Sequence, residues 1–137
     1  MYLIGVFGSL LLLIIAGFHW YWLFGGKVGT DRYINLGKDG ERIRIPKPLI
    51  LVTSFVFLGA GLLPLVSLGI IPIPLPRQLI DAALIMGICV FILRGTAGLV
   101  WSLAQPEPRD IFHRWNIGLY TWVCLALALS YGACLLA

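Results

Sequence analysis

Apolar residues in this chain gather into four long blocks, roughly Leu3–Phe24, Leu49–Leu68, Leu79–Leu103 and Phe112–Leu136, separated by shorter polar stretches. Each block is long enough for a helix through the ~30 Å hydrocarbon layer, which takes about 20 residues. Helices suit that setting because they satisfy their own backbone hydrogen bonds. Pro64 falls inside the second block, where it kinks the helix or marks its last turn. Pro72, Pro74 and Pro76 then make a stiff link to the third block. The sizeable polar connector is 25–48. In it Asp39-Gly40 supplies a turn signal, and Ile43 and Ile45 alternate with Arg42 and Arg44, a pattern that predicts a β-hairpin. A two-stranded hairpin is marginal in water and has to lean on the membrane or on helix ends. The prediction is therefore an all-α membrane protein of one domain, residues 1–137, with four transmembrane helices in one bundle. A β-hairpin-like loop is expected between helices 1 and 2.

Composition strengthens the membrane reading. Of 137 residues 60% are hydrophobic and 12% charged, against slightly under half apolar in soluble domains. The formal charge of +4 does not point to nucleic acid, because no basic stripe with interleaved stacking aromatics lies on a soluble surface. Its bearers sit between the apolar blocks. Lys27, Arg32, Lys38, Arg42, Arg44 and Lys47 fall in the first connector, and Arg109 and Arg114 in the third. The opposite side has Arg77 and the terminal amine. Basic loops stay in the cytoplasm, so both long connectors are expected there and both termini outside. No Lys or Arg precedes the first block, which therefore reads as a retained helix and not a cleaved signal. Cys89, Cys124 and Cys134 lie within apolar blocks, without CxxC or Cys/His ligand spacing, and read as small buried hydrophobes. No metal or nucleotide signature exists. Haem ligation by His19 and His113 is disfavoured because His113 falls at the interface, so no cofactor is expected.

The polar residues within the blocks carry the functional question. Arg94 stands nine residues before Leu103, about 14 Å from that end of its helix. A charge at such depth costs about 2.5–3.5 kcal/mol even on the lenient insertion scale. Helical side chains lean toward the N-terminus, away from Arg94's nearest exit, so the sequence predicts an inward-facing arginine with a partner. His19 shares a face with Gly5, Gly8, Leu12, Ile15 and Trp22, which argues for inward packing, although His19, Tyr21 and Trp22 also fit an interfacial aromatic belt. Asn116 and Tyr120 are four residues apart on the fourth helix, Thr53 opens the second, and Gly98 and Trp101 align with Arg94. His19, Tyr21, Trp22, Thr53, Arg94, Trp101, Asn116 and Tyr120 are thus the candidate ligand-binding residues, all toward the cytoplasmic half. Their structural alternative is mutual satisfaction without a ligand.

His19-x-Tyr21-Trp22 followed by Gly25-Gly26, then Pro48, Thr53, Phe91-x-x-Arg94 and an Asn/Tyr-bearing fourth helix, resembles the bacterial family called domain of unknown function 3995. The resemblance spans nearly the whole chain and implies a small four-helix membrane protein. The charged insertion in the first connector is atypical of it. Three functions stay open. The first is binding of a small amphipathic or anionic ligand, or of membrane lipid, in a polar cavity of the cytoplasmic half. The second is an enzyme on a lipid-soluble substrate using His19, Arg94 and Tyr120. The third is an accessory subunit. Small-residue faces (Gly5/Ser9, Ala60/Gly61, Ala83/Gly87, Gly95/Gly98, Ala128/Gly132) suit packing within one bundle, with a homo-oligomer seam as the lesser alternative.

Overall fold

The computed structural model describes residues 1–29, 45–106 and 110–137. Four long helices form a bundle: α1, Tyr2–Leu23; α2, Lys47–Ser67; α3, Arg77–Leu103; and α4, Ile111–Leu135. All four are long and apolar enough to cross a membrane. The C-termini of α1 and α3 and the N-termini of α2 and α4 lie at one end of the bundle, called the connector end below. The link after α2 and both termini lie at the other.

α1 packs mainly on α2, and α3 on α4; α1–α4 and α2–α3 contacts join the two pairs. Water is not the solvent here, so close backbone approach and dispersion replace the hydrophobic effect as the adhesive. The glycines show how. A methyl group on Gly8 would collide with the Ser130 side chain, one on Gly61 with Leu13, and one on Gly87 with the Tyr131 ring. These glycines therefore seat side chains of neighbouring helices inside one chain, whereas Gly132 has nothing within 4 Å of a Cβ position. Buried hydroxyls fasten the contacts: Ser9 donates to the Gly61 carbonyl, and Ser130 Oγ to the Ile4 carbonyl at 2.7 Å.

Tyr131 sits at the centre, 1% exposed, edge-on to Phe91. Its hydroxyl donates to the Ala60 carbonyl at 2.5 Å. That carbonyl is free for a chemical reason. Four residues on stands Pro64, which has no N–H to return to it. A proline defect in one helix is thus repaired by a phenol from another, as a membrane interior requires. Pro64 leaves the helix running for three more residues before it ends at Ser67.

α1 and α2 both end on a glycine with positive φ, Gly25 (93°) and Gly69 (70°). After α1 the Gly26 N–H bonds the Tyr21 carbonyl and the Gly25 N–H the Trp22 carbonyl; after α2 Ile70 bonds Leu65 and Gly69 bonds Val66. These are Schellman closures, in which glycine takes the left-handed turn.

The fold class needs one correction. The helical bundle is present, but among the described residues there is no β-strand, so the described fold is all-α and holds no hairpin. The pattern on which it was read runs from Tyr33 to Pro46; its residues 33–44 lie outside the described residues, and Ile45 and Pro46 are not in a strand. The described flanks of that connector are committed to helix ends instead of a ladder. Val28 is tied to Trp22 and Tyr21 of α1, and Pro46 is the N-cap of α2.

Candidate functional site

A chain of buried polar groups links α3 to α4 at the connector end. Asp110 caps α4, its Oδ1 accepting from the His113 N–H at 2.8 Å. The same oxygen lies 3.9 Å from His113 Nε2. His113 Nδ1 is 3.1 Å from Ser102 Oγ, and Asn116 Nδ2 donates both to Ser102 Oγ at 2.7 Å and to the Gly98 carbonyl at 2.6 Å. Ser102 and Asn116 are wholly buried and His113 nearly so. Inside an apolar layer an unpaired amide or imidazole is expensive, so these groups hold one another in place.

The orientation of the Asn116 amide follows from its partners. Two acceptors hold Nδ2; flipping the amide would press its oxygen against a carbonyl and an N–H against a guanidinium. Oδ1 therefore faces Arg94, whose Nη1 donates to it at 3.3 Å. α4 reaches this position through a π-helical turn, Asn116–Tyr120. The widened turn brings Thr121 over Asn116, and its hydroxyl donates to the Asn116 carbonyl at 2.9 Å. Such turns occur mostly as single insertions in α-helices and frequently at functional sites.

Arg94 itself differs from the inward-facing residue expected. It lies on the outer, exposed face of the bundle. Its side chain runs over Gly98, one turn toward the connector end, and not toward the helix N-terminus. Gly98 makes that path available: a methyl group there would collide with Arg94 Nη1 and fall 3.0 Å from Asn116 Nδ2. Among the described residues Asn116 is the hydrogen-bond partner of this guanidinium, and no carboxylate forms an ion pair with it.

Of the candidate residues, the structure brings Arg94 and Asn116 together. Trp101 is near the same end, edge-on to Phe112 and His113, yet 47% exposed. Tyr120 lies beside Trp115, ring centroids 6.4 Å apart. The others are elsewhere. His19 packs between α1 and α2 against Trp22 and Phe57, its Nδ1 2.8 Å from the Ile15 carbonyl. Thr53 bonds back to Leu49 within its own helix. Trp22 Nε1 donates to the Val28 carbonyl at 2.8 Å, and the Tyr21 hydroxyl accepts from the Val28 N–H at 3.4 Å. The Tyr21-Trp22…Gly25-Gly26 segment thus acts as a helix terminus with its strap.

Sequence reasoning missed Ser102 and His113. Signals for both existed. Ser102 follows Phe91, Gly95 and Gly98 at helical steps of four, three and four, so it continues their buried face, whereas Trp101 stays on the exposed face of Arg94. Asp110 before an apolar run, three residues from His113, is the pattern of a capped helix start. No group of His, Cys, Asp and Glu able to hold a metal ion occurs among the described residues. An open apolar groove, lined by Ile14, Gly17, Phe18, Tyr21 and Val28, lies on the outer face of α1, away from this network.

Fold and site together define a multi-pass integral membrane protein built as a four-helix bundle. The chain belongs to the family described as protein of unknown function DUF3995, whose model matches residues 12–131. No curated protein and no solved structure matches it.

Proposed function

We propose that this protein binds the anionic head of a small amphipathic molecule or lipid at Arg94, in the half of the bilayer nearest the connector end. The supporting observation is the state of the guanidinium. It is exposed on a membrane-spanning helix, oriented by a buried amide, and without a carboxylate partner among the described residues. One neutral acceptor leaves most of its five N–H donors for a ligand. The surface is open to the bilayer, so the ligand arrives from the side and not through an enclosed cavity. Acid–base chemistry by His19, Arg94 and Tyr120 has less support, because His19 is committed to a different helix pair.

The decisive experiment is native mass spectrometry of the protein purified in mild detergent. Wild type should carry a bound anion or amphiphile, and Arg94→Gln should lose it with its melting temperature within a few degrees of wild type. An empty wild type, with a large fall in melting temperature for the variant, means that Arg94 only braces the fold.

The same reading places the connector end in the cytoplasm and both termini outside a bacterial inner membrane, on the strength of the basic connectors. A cysteine at position 38, in a background without native cysteines, should resist impermeant maleimide in intact cells. Ready labelling reverses the orientation.

A further inference from the structure

Arg94's ligand can be narrowed from depth and surroundings, an inference that rests on the binding role just proposed. α3 has 27 residues and is therefore about 40 Å long. The hydrocarbon layer is about 30 Å thick, so a centred α3 extends roughly 5 Å beyond it at each end. Arg94, about 14 Å from the connector end of the helix, then has its Cα some 8–9 Å below the boundary. Its side chain climbs about one turn, to the level of Gly98. Trp101, exposed on the same face and seven residues above Arg94, belongs to the aromatic belt that marks the headgroup level. The guanidinium ends within a few ångströms of that level, on the lipid side of it.

The rim decides who can reach it. Val90, one turn before Arg94 on its face, is 55% exposed, and Leu93 and Val100, further round the same helix, are each 68% exposed. A water-soluble anion would have to shed its hydration and pass apolar side chains already covered by acyl chains. A phospholipid has its chains in that layer and brings its phosphate to that depth at no such cost. The planar guanidinium fork matches a phosphate in bidentate fashion. Asn116 cannot supply further donors, since both its N–H groups are engaged, but its oxygen fixes one edge of the fork and leaves another outward. The basic residues of the first connector, among them Lys27 and Lys47 in the described part, favour an anionic headgroup at this surface. We infer that Arg94 is the headgroup site for an anionic phospholipid of the connector-side leaflet, bound through its phosphate.

The test uses the full chain reconstituted in nanodiscs of phosphatidylglycerol and phosphatidylcholine, released into detergent and weighed by native mass spectrometry. Wild type should keep one phosphatidylglycerol per chain, enriched at least tenfold over its share of the disc. Arg94→Gln should lose that enrichment, and Arg94→Lys should keep part of it, with both variants checked for folding by tryptophan fluorescence. Millimolar inorganic phosphate should leave the bound lipid in place. Displacement by inorganic phosphate would make the ligand a soluble phosphate and overturn the lipid assignment. An Arg94-dependent adduct without phosphorus would overturn the phosphate assignment while leaving the binding role standing. Equal lipid retention by wild type and Arg94→Gln would remove both.

Discussion

Two arginines of one helix are treated in opposite ways. Arg77, at the first turn of α3, meets a carboxylate four residues on: Asp81 Oδ1 lies 2.8 Å from its Nε, and a further bond of 3.5 Å reaches the Ser67 carbonyl. Asp81 Oδ1 is itself shielded from solvent and meets Arg77 as an ion pair, not as an aligned hydrogen bond. Arg94 also looks four residues along the helix, but finds Gly98 in place of an aspartate. Its contact comes from the next helix and is a neutral amide. The arginine nearer water is neutralised; the one within the apolar layer is held in position and left charged. Stability alone would favour the reverse, since an uncompensated charge costs more where the dielectric is low. On the binding role proposed above, the difference separates an arginine that staples helix ends from one kept available.

The sharpest way to break the comparison is to take away Arg94's seat without touching its charge. In Gly98→Ala the new methyl group displaces the guanidinium, which is flexible, and presses on Asn116, which is not. Overpacking costs about 1–3 kcal/mol, and the better helix propensity of alanine returns close to 1. Net destabilisation should therefore be at most about 2 kcal/mol, while retention of the anionic ligand should fall tenfold or more. Thermal melting and native mass spectrometry on one preparation read both. Unchanged retention would show that the Gly98 path is incidental.

The central contact offers a second test, of the packing that joins α4 to α2 and α3. Tyr131→Phe keeps the ring against Gly87 and Phe91 and removes the hydroxyl that serves the Ala60 carbonyl. The loss of a buried partner should cost about 1–3 kcal/mol. If the proline defect is what creates the need, Pro64→Ala should restore an N–H for that carbonyl and make Tyr131→Phe cheaper. A double-mutant cycle showing no coupling between the two positions would sink that account.

Much of this was legible in the sequence, and the failures have physical causes. Block lengths and Pro64 gave the four helices, and the small-residue faces gave most of their contact surfaces, Gly132 excepted, because lipid imposes those features on any spanning chain. Arg94 and Asn116 were both visible as deep polar residues. The direction of Arg94 was misread because the general lean of helical side chains toward the N-terminus yields to the space above a glycine. Ser102 was passed over for Trp101, one residue away, since aromatic residues draw attention and a serine hidden in a helix face does not. The π-turn leaves no mark in an apolar pattern, so the grouping of Asn116 with Tyr120 missed Thr121. His19, Tyr21 and Trp22 were grouped with the site by depth and, for His19, by the small-residue face that turns it inward. They belong to the other helix pair, and pairing is a tertiary fact that one-dimensional depth does not carry.

The smallest expected effect belongs to the arginine that already has its partner. Asp81→Asn removes the charge opposite Arg77, whose side chain is 50% exposed against 35% for Asp81. Exposed pairs of this kind contribute about 0–1 kcal/mol, because water screens the attraction and two side chains lose freedom to make it. Arg77 also keeps its contact to Ser67 after the change. Melting should shift by no more than a few degrees, with the shift shrinking as salt is raised. Ligand retention at Arg94 should not change, since no polar group connects the two ends of α3 in the network described. A loss of ligand in Asp81→Asn would mean that the two arginines answer to one electrostatic balance along the helix. Equal behaviour of Asp81→Asn and wild type in the binding assay, beside a tenfold loss in Gly98→Ala, is the result that keeps their roles apart.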